Sequence, residues 1–151
     1  MRLTKMSRFG ARAIFDIAYN SAGLPVQVKD IAKRQEIPQR FLEQIFHKLK
    51  KANIVKSVKG PHGGYMLARD SYEITVSDIL KAVKEPMDLV YCVNNLNDCS
   101  RATQCVTRMV WKEASERIKQ VFDSANIGDL CTSAEKKGIK RDVLHRFEYS
   151  I

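Results

Sequence analysis

The sequence predicts a mainly α-helical fold with a small β-hairpin: a winged helix-turn-helix plus a long dimerisation helix. Three observations point there. Apolar residues recur at three- and four-residue spacing through three segments between residues 4 and 51. A hexapeptide rich in glycine and proline then separates two short runs of strand-forming residues. The net charge of +9 falls in the first half alone, where residues 1–70 hold 14 Lys/Arg against 5 Asp/Glu, while residues 71–151 hold 12 against 12. A surplus of cations on one half suggests a polyanionic partner, nucleic acid ahead of a membrane surface. A basic face with no partner is the alternative.

Each element follows from local chemistry. Phe9, Ala13, Ile14, Ile17 and Ala18 set one face of a first helix from Thr4 to about Asn20, with Thr4 as N-cap and Ser21-Ala22-Gly23 and Pro25 as the stop. A second helix runs from about Val28 to Gln35, with Val28, Ile31 and Ala32 inward and Asp30, Lys33 and Arg34 on its polar side. Glu36-Ile37 is the turn, with Ile37 as a buried plug. Pro38 opens a third helix that reaches about Lys51 and buries Phe41, Leu42, Ile45, Phe46 and Leu49. Strands at Ile54–Val58 and Tyr65–Leu67 flank Lys59-Gly60-Pro61-His62-Gly63-Gly64, a hairpin tip. Thr75 caps a fourth helix that ends at Glu85-Pro86. Helical period returns from about Thr103 to Ala125 through Val106, Val110, Trp111, Ala114, Ile118, Val121 and Phe122. That stripe follows a complete small domain, so burial against a second copy of the chain is expected; packing within the chain is the other reading.

The expected organisation is therefore a winged helix-turn-helix DNA-binding domain over residues 1–85, a cysteine-bearing loop over 86–105, a dimerisation helix over 106–130 and a polar C-terminal tail over 131–151, in part disordered. The N-terminal segment has no apolar h-region and no apolar run approaches the roughly 18 residues of a membrane span, so a cytoplasmic protein with no membrane partner is expected. No phosphate-binding glycine loop and no nucleophile–base arrangement can be recognised, which argues against an enzyme.

In a helix-turn-helix the N-terminal end of the second helix faces base edges in the major groove. Here that end carries Gln39, Arg40, Glu43 and Gln44, residue types that pair with guanine, adenine or cytosine. Lys48, Lys50 and Lys51 suit phosphates, and Lys59 and His62 sit on a glycine-rich tip that can approach double-stranded DNA closely. A solvated helix face and an ordinary hairpin are the plainer readings. RNA is less favoured, because no aromatic platform interleaves the cations.

Three of the four cysteines, Cys92, Cys99 and Cys105, lie in the polar loop and at the start of the long helix; the fourth is Cys131. Grouped thiols in a cytosolic protein suit a soft metal or an iron–sulfur cluster better than disulfides. The gaps of six and five residues lack the Cys-x-x-Cys pairs of structural zinc. Reactive thiols and buried structural cysteines remain open.

In these residues the sequence resembles the IscR-type family of iron–sulfur cluster transcription regulators, which are winged-helix proteins. The matching stretches are Met1-Arg2-Leu3-Thr4, Phe41-Leu42-Glu43-Gln44, Ser57-Val58-Lys59-Gly60-Pro61, Gly63-Gly64-Tyr65 and the three-cysteine loop, within a similarity from Met1 to about Leu130. The resemblance implies a homodimer that binds a 2Fe-2S cluster through Cys92, Cys99 and Cys105 and controls iron–sulfur assembly or stress genes. It also implies that the long helix is the dimer interface and that Glu43 takes part in sequence discrimination. Three departures stand out. The first cysteine gap is six residues where the family has five; Arg108 stands where the family places a histidine; and Lys59 replaces a common arginine. A guanidinium cannot ligate a metal, so the fourth ligand is open among Asp98, Cys131, Thr107, His145 and an exogenous thiol. Some relatives hold a 4Fe-4S cluster with a ligand from the partner's first helix, but this chain has Arg8 there. A thiol-based redox-sensing regulator without a metal is the alternative.

Overall fold

The computed structural model describes residues 1–142. They form α1 (Lys5–Asn20), α2 (Val28–Gln35), α3 (Gln39–Lys51), β1 (Val55–Val58), β2 (Gly64–Leu67), α4 (Val76–Ala82), α5 (Val106–Ser124) and α6 (Ile127–Lys136) in that order. Helix α1 is the hub. It packs against α2, α3, α4 and α6, and Ala13, Ile14 and Ile17 on its inner face join Ile31, Leu42, Ile45, Phe46, Leu49 and Ile79 in one buried cluster. Each fully buried side chain of this size contributes about 1.5–3 kcal/mol relative to exposure. Thr4 caps α1 as expected, accepting the Ser7 amide at 3.2 Å.

One polar group interrupts this core. Asp16 lies on α1 between Ile14 and Ile17 and is wholly buried. Its carboxylate accepts two hydrogen bonds from Arg34 Nε at 3.2 and 3.1 Å and one from Arg34 Nη2 at 2.6 Å. Gln35 Nε2 donates to it at 2.9 Å and Asn20 Nδ2 at 3.3 Å. Burial alone would lower the Arg34 pKa, but the hydrogen bond and charge of Asp16 outweigh it and hold the guanidinium above its ordinary value. Arg34, expected on the solvated side of α2, turns inward instead. The reason is charge: an acid on the core side of α1 must find a cation, and α2 supplies it at its last turn.

The helix-turn-helix turn forms as expected. Glu36 closes α2 in the left-handed conformation at φ 53°, and Ile37 is 3% exposed. Pro38 is the N-cap of α3 and stands just outside its first turn. Strands β1 and β2 pair antiparallel, with Val55 opposite Leu67 and Val58 opposite Gly64. Val26 adds a bridge to Tyr65, with both N–H···O distances 2.8 Å. Thr75 and Asp78 form a reciprocal capping box at the start of α4. At the far end of α4, Glu85 accepts from the Thr4 hydroxyl at 2.5 Å and from the Ser7 hydroxyl, which staples the start of α1 to the entrance of the cysteine loop. Burial pushes the Glu85 carboxyl up, but these bonds win and hold it below the ordinary carboxylate range.

Two readings of the second half change. The long helix begins at Val106, with Cys105 as its N-cap; residues 99–104 instead make tight turns, with the Ala102 amide on the Cys99 carbonyl at 3.1 Å. The polar tail expected from residue 131 begins inside α6. Asn126 caps α6 by accepting the Asp129 amide at 2.8 Å, and Ile127, Cys131 and Ala134 join the core cluster. Those apolar residues are few and the surface around them is polar, so the period was hidden. His145 lies outside the described residues.

Breaking the Asp16 node leaves the Arg34 guanidinium and two amides without their acceptor. Asp16→Ala should lower stability by about 3 kcal/mol; urea denaturation followed by circular dichroism measures this, and a loss under about 1 kcal/mol would show that the pair does not hold α2.

Candidate nucleic-acid interface and cysteine loop

Helix α3 turns its apolar side to the core and leaves the opposite side open. Gln39, Arg40, Glu43, Gln44 and His47 are exposed, as are Lys50 and Lys51, and Lys48 is half-buried. Arg40, Glu43, Gln44, His47 and Lys48 line an open groove completed by Met6 of α1. Gln39 Nε2 donates to Glu43 Oε1 at 3.3 Å, one turn along the same face. The base-reading candidates thus share one accessible surface, with Lys48 at its edge.

The hairpin is fastened to this helix. Phe46 of α3 stacks on Tyr65 of β2, with ring centroids 4.6 Å apart and planes 20° from parallel. Its tip depends on two glycines. A Cβ on Gly63 would lie 2.1 Å from the Val58 carbonyl oxygen. Gly64 has φ 150°, and a Cβ there would lie 2.3 Å from the Val26 carbonyl oxygen. Only glycine permits so close a backbone approach. Lys59 and His62 project as exposed tip residues, and the Pro61 carbonyl accepts from Gln27 Nε2 at 3.4 Å, tying the tip to the start of α2. Three cations of the first half are used internally: Arg34 on Asp16, Arg12 on the Gln35 side chain and carbonyl, and Arg69 at 3.7 Å from Asp78.

The cysteine loop is built differently. Cys92 lies in a 3-10 turn, Tyr91–Val93, and is half-exposed; Cys99 is exposed; Cys105 is half-exposed. None is in a disulfide. The Cys105 thiol lies 3.2 Å from the Thr107 hydroxyl, and this contact, reinforced by the Arg108 amide at the helix start, lowers its pKa from the ordinary value. Arg108 donates from Nε to the Cys92 carbonyl at 2.7 Å and from Nη2 to the Val93 carbonyl at 3.0 Å. It therefore staples the loop to α5. Among the described residues no three His, Cys, Asp or Glu side chains are gathered as a metal-binding group. An iron–sulfur cluster still suits the donor set in kind, since three undisulfided thiols share one loop and one of them is held toward thiolate. Of the fourth-ligand candidates, Asp98 accepts from Asn95 at 2.9 Å and Thr107 is on Cys105. Cys131 is buried on α6, where burial pushes its thiol up.

Helix α5 leaves much of its apolar stripe open. Val106, Val110 and Val121 are 76%, 59% and 62% exposed, and Trp111 is 42% exposed. Ala114, Ile118 and Phe122 are half-buried, against α4 and the loop side of the chain.

A family model described as Rrf2, iron-dependent transcriptional regulator, matches residues 3–133. The chain belongs to the Rrf2 family. It is 41% identical over 135 residues to the HTH-type transcriptional regulator IscR of Vibrio cholerae, covering 89% of this chain and 78% of that one. It is 37% identical to the IscR of Klebsiella pneumoniae, covering 89% and 82%. Among solved structures it is similar to the IscR of T. potens, with TM-score 0.76 at 31% identity, covering 93% of each chain. It is also similar to CymR, the global cysteine regulator of B. subtilis, with TM-score 0.75 at 28% identity, covering 88% and 98%. This Rrf2 protein is thus a DNA-binding winged-helix transcriptional regulator, and its relatives are named as regulators, not enzymes. No helix among its described residues is long and apolar enough to cross a membrane.

The structural roles of Asp16, Tyr65 and Arg108 in shaping the Rrf2 site are not all legible in the sequence. Asp16 carried a signal, an acid inside the apolar run Ala13, Ile14, Ile17, whereas Tyr65 and Arg108 act through partners distant in sequence. The thiols should differ in reach. In metal-free protein, iodoacetamide should label Cys99 and Cys105 at least about tenfold faster than Cys131, read by peptide mass spectrometry; comparable rates would show that α6 does not cover Cys131.

Proposed function

We propose that this Rrf2 regulator is cytoplasmic, works as a homodimer and senses iron–sulfur cluster status through Cys92, Cys99 and Cys105. Gln39, Arg40, Glu43 and Gln44 read bases in the major groove, while Lys48, Lys59 and His62 meet phosphates. The observation that carries the DNA part is the open N-terminal face of α3, fastened to the wing by the Phe46–Tyr65 stack. The exposed stripe of Val106, Val110, Trp111 and Val121 supports α5 as the dimer interface, since a surface of that kind is costly to leave in water. The similarity to IscR proteins supports a 2Fe-2S cluster, which when bound would supply a group whose presence and redox state respond to iron and oxidants.

The chain's own residues would convert that state into DNA affinity. Arg108 holds the loop to α5 through the carbonyls of Cys92 and Val93, and Glu85 holds the loop's entrance to the start of α1. A rearrangement of the loop therefore bears on both α5 and the helix that carries the DNA-binding domain. Regulation requires that these contacts differ between the loaded and empty states.

A second reading is a thiol sensor without metal. The accessibility of Cys99 and Cys105 favours it, since a sensor thiol must be reached by its oxidant. Anaerobic purification with visible absorption and iron and sulfide analysis separates the two. The cluster reading expects a coloured dimer that bleaches when Cys92, Cys99 or Cys105 is changed to Ala. A colourless, iron-free dimer whose DNA affinity follows thiol oxidation would replace it with the thiol sensor.

Two variants test the assignment on α3. Glu43→Ala should relax base preference with little change in salt dependence. Lys48→Ala should weaken binding to all sequences and lower the salt slope by about 1. If selection from a random duplex library and salt titration give the same pattern for both, α3 is not the reading helix.

A further inference from the structure

The segment after α6 turns back across the C-terminal end of α1. Tyr19 donates its hydroxyl to the Ile139 carbonyl. The Arg141 guanidinium lies 4.4 Å from the centroid of the Tyr19 ring, donates from Nη1 to the Tyr19 carbonyl at 3.0 Å and pairs with Glu135 of α6. The Asp142 amide donates to Asn20 Oδ1 at 2.8 Å, and its carboxylate lies 3.9 Å from Arg34 Nη1. Asn20 and Arg34 are two of the three side chains that donate to buried Asp16. The returning segment therefore closes over the outside of the node that fixes α2.

We propose that Arg141 and Asp142 are positioning residues for DNA binding, acting through Tyr19, Asn20 and Arg34 to hold α2, and with it the start of α3, against α1. The inference rests on α3 being the reading helix. Besides the Arg12 bonds to the Gln35 side chain and carbonyl and the partly buried Val28 and Ala32, few contacts hold α2. That helix has eight residues, of which Ile31 alone is buried, and none of its side chains caps it at the N-terminus. A helix so short is marginal by itself, so tertiary contacts decide its place. The Asp16 node is its polar anchor, and Asp142 gives the Arg34 guanidinium a second carboxylate on its outer side. Arg141 fixes Asp142 in turn, because its fork spans the Tyr19 carbonyl and Glu135 while its plane covers the Tyr19 ring. Both residues follow α5 and α6 in the chain, so the half that carries the cysteines also closes the scaffold of the helix-turn-helix.

The test uses the full chain with Arg141→Ala/Asp142→Ala, with Asp142→Asn, and with Lys140→Ala as a control. Amide hydrogen exchange is followed throughout the chain. DNA affinity is measured at several salt concentrations on a duplex that the wild-type protein has selected from a random library. For the double variant, exchange in residues 28–36 should quicken about tenfold and affinity should fall about five- to tenfold, the range expected of positional coupling. The salt slope should not change, because neither residue is assigned a phosphate. Asp142→Asn keeps Arg141 and removes only the charge that faces Arg34, so it should show a smaller loss of both kinds, while Lys140→Ala should match wild type. Faster exchange confined to residues 137–142 and α6 overturns the proposal, as does faster α2 exchange with unchanged affinity. A salt slope lowered by about 1 also overturns it, since Arg141 would then be a phosphate contact. If the wild type selects no duplex, the assignment of α3 fails, and exchange in α2 still decides whether the segment holds that helix.

Discussion

A single carboxylate, buried among aliphatic side chains on α1, sets the terms for the DNA-binding half. A polar group buried in that position is costly without partners, and the structure supplies Arg34, Gln35 and Asn20. Replacing such a node with hydrocarbon of the same shape can be neutral for stability, whereas removing one partner is costly. The node therefore matters less as a source of stability than as a constraint on arrangement: its hydrogen bonds are met in the observed orientation of α2 on α1. Because Glu36 and Ile37 then turn the chain tightly into α3, that orientation is passed to the face that carries Gln39, Arg40, Glu43 and Gln44.

A second constraint fixes the wing. Tyr65 takes part in three contacts at once, pairing with Val26 through both backbone groups, lying opposite Ser57 in the hairpin and stacking on Phe46. Gly64 makes this possible, since a side chain there would collide with the Val26 carbonyl. The hairpin is thus held to the helix-turn-helix at its base and, through the Gln27–Pro61 hydrogen bond, near its tip, where Lys59 and His62 stay exposed. A two-stranded ribbon alone is marginally stable; here the helical core supplies what it lacks.

The other half of the chain is organised around α5. Its exposed valines and Trp111 leave an apolar stripe open to solvent, and the cysteine loop is fastened to its first turn by Arg108. The substitution that removes an expected histidine ligand thereby gains a structural role, because a guanidinium can donate to two carbonyls where an imidazole could serve one. Helix α6 and the residues after it return to α1, so the two halves are joined at the Thr75–Asn126 bridge, at the α6 packing face and at Tyr19.

Much of this was legible from residues alone, for a physical reason. Helices α1 to α4, the plug at Ile37, the Thr4 and Thr75 caps and the glycine-rich wing tip are encoded by local periodicity and local hydrogen bonding, which a linear reading captures. The exposed face of α3 could be named for the same reason, as the complement of an apolar stripe. Contacts distant in sequence could not. The pairing of Asp16 with Arg34, the stack of Phe46 on Tyr65 and the turning of Arg108 to the Cys92 carbonyl each join groups whose separation carries no pattern. Helix α6 was hidden because its burial comes from a few small residues, Cys131 and Ala134 among them, packing on a partner helix more than a hundred residues earlier. The sequence by itself determined the order of α1 to α5, the wing and where the charge lies. Only tertiary structure decided which of those charges face outward, because whether a cation is solvated or paired depends on what the folded chain brings beside it.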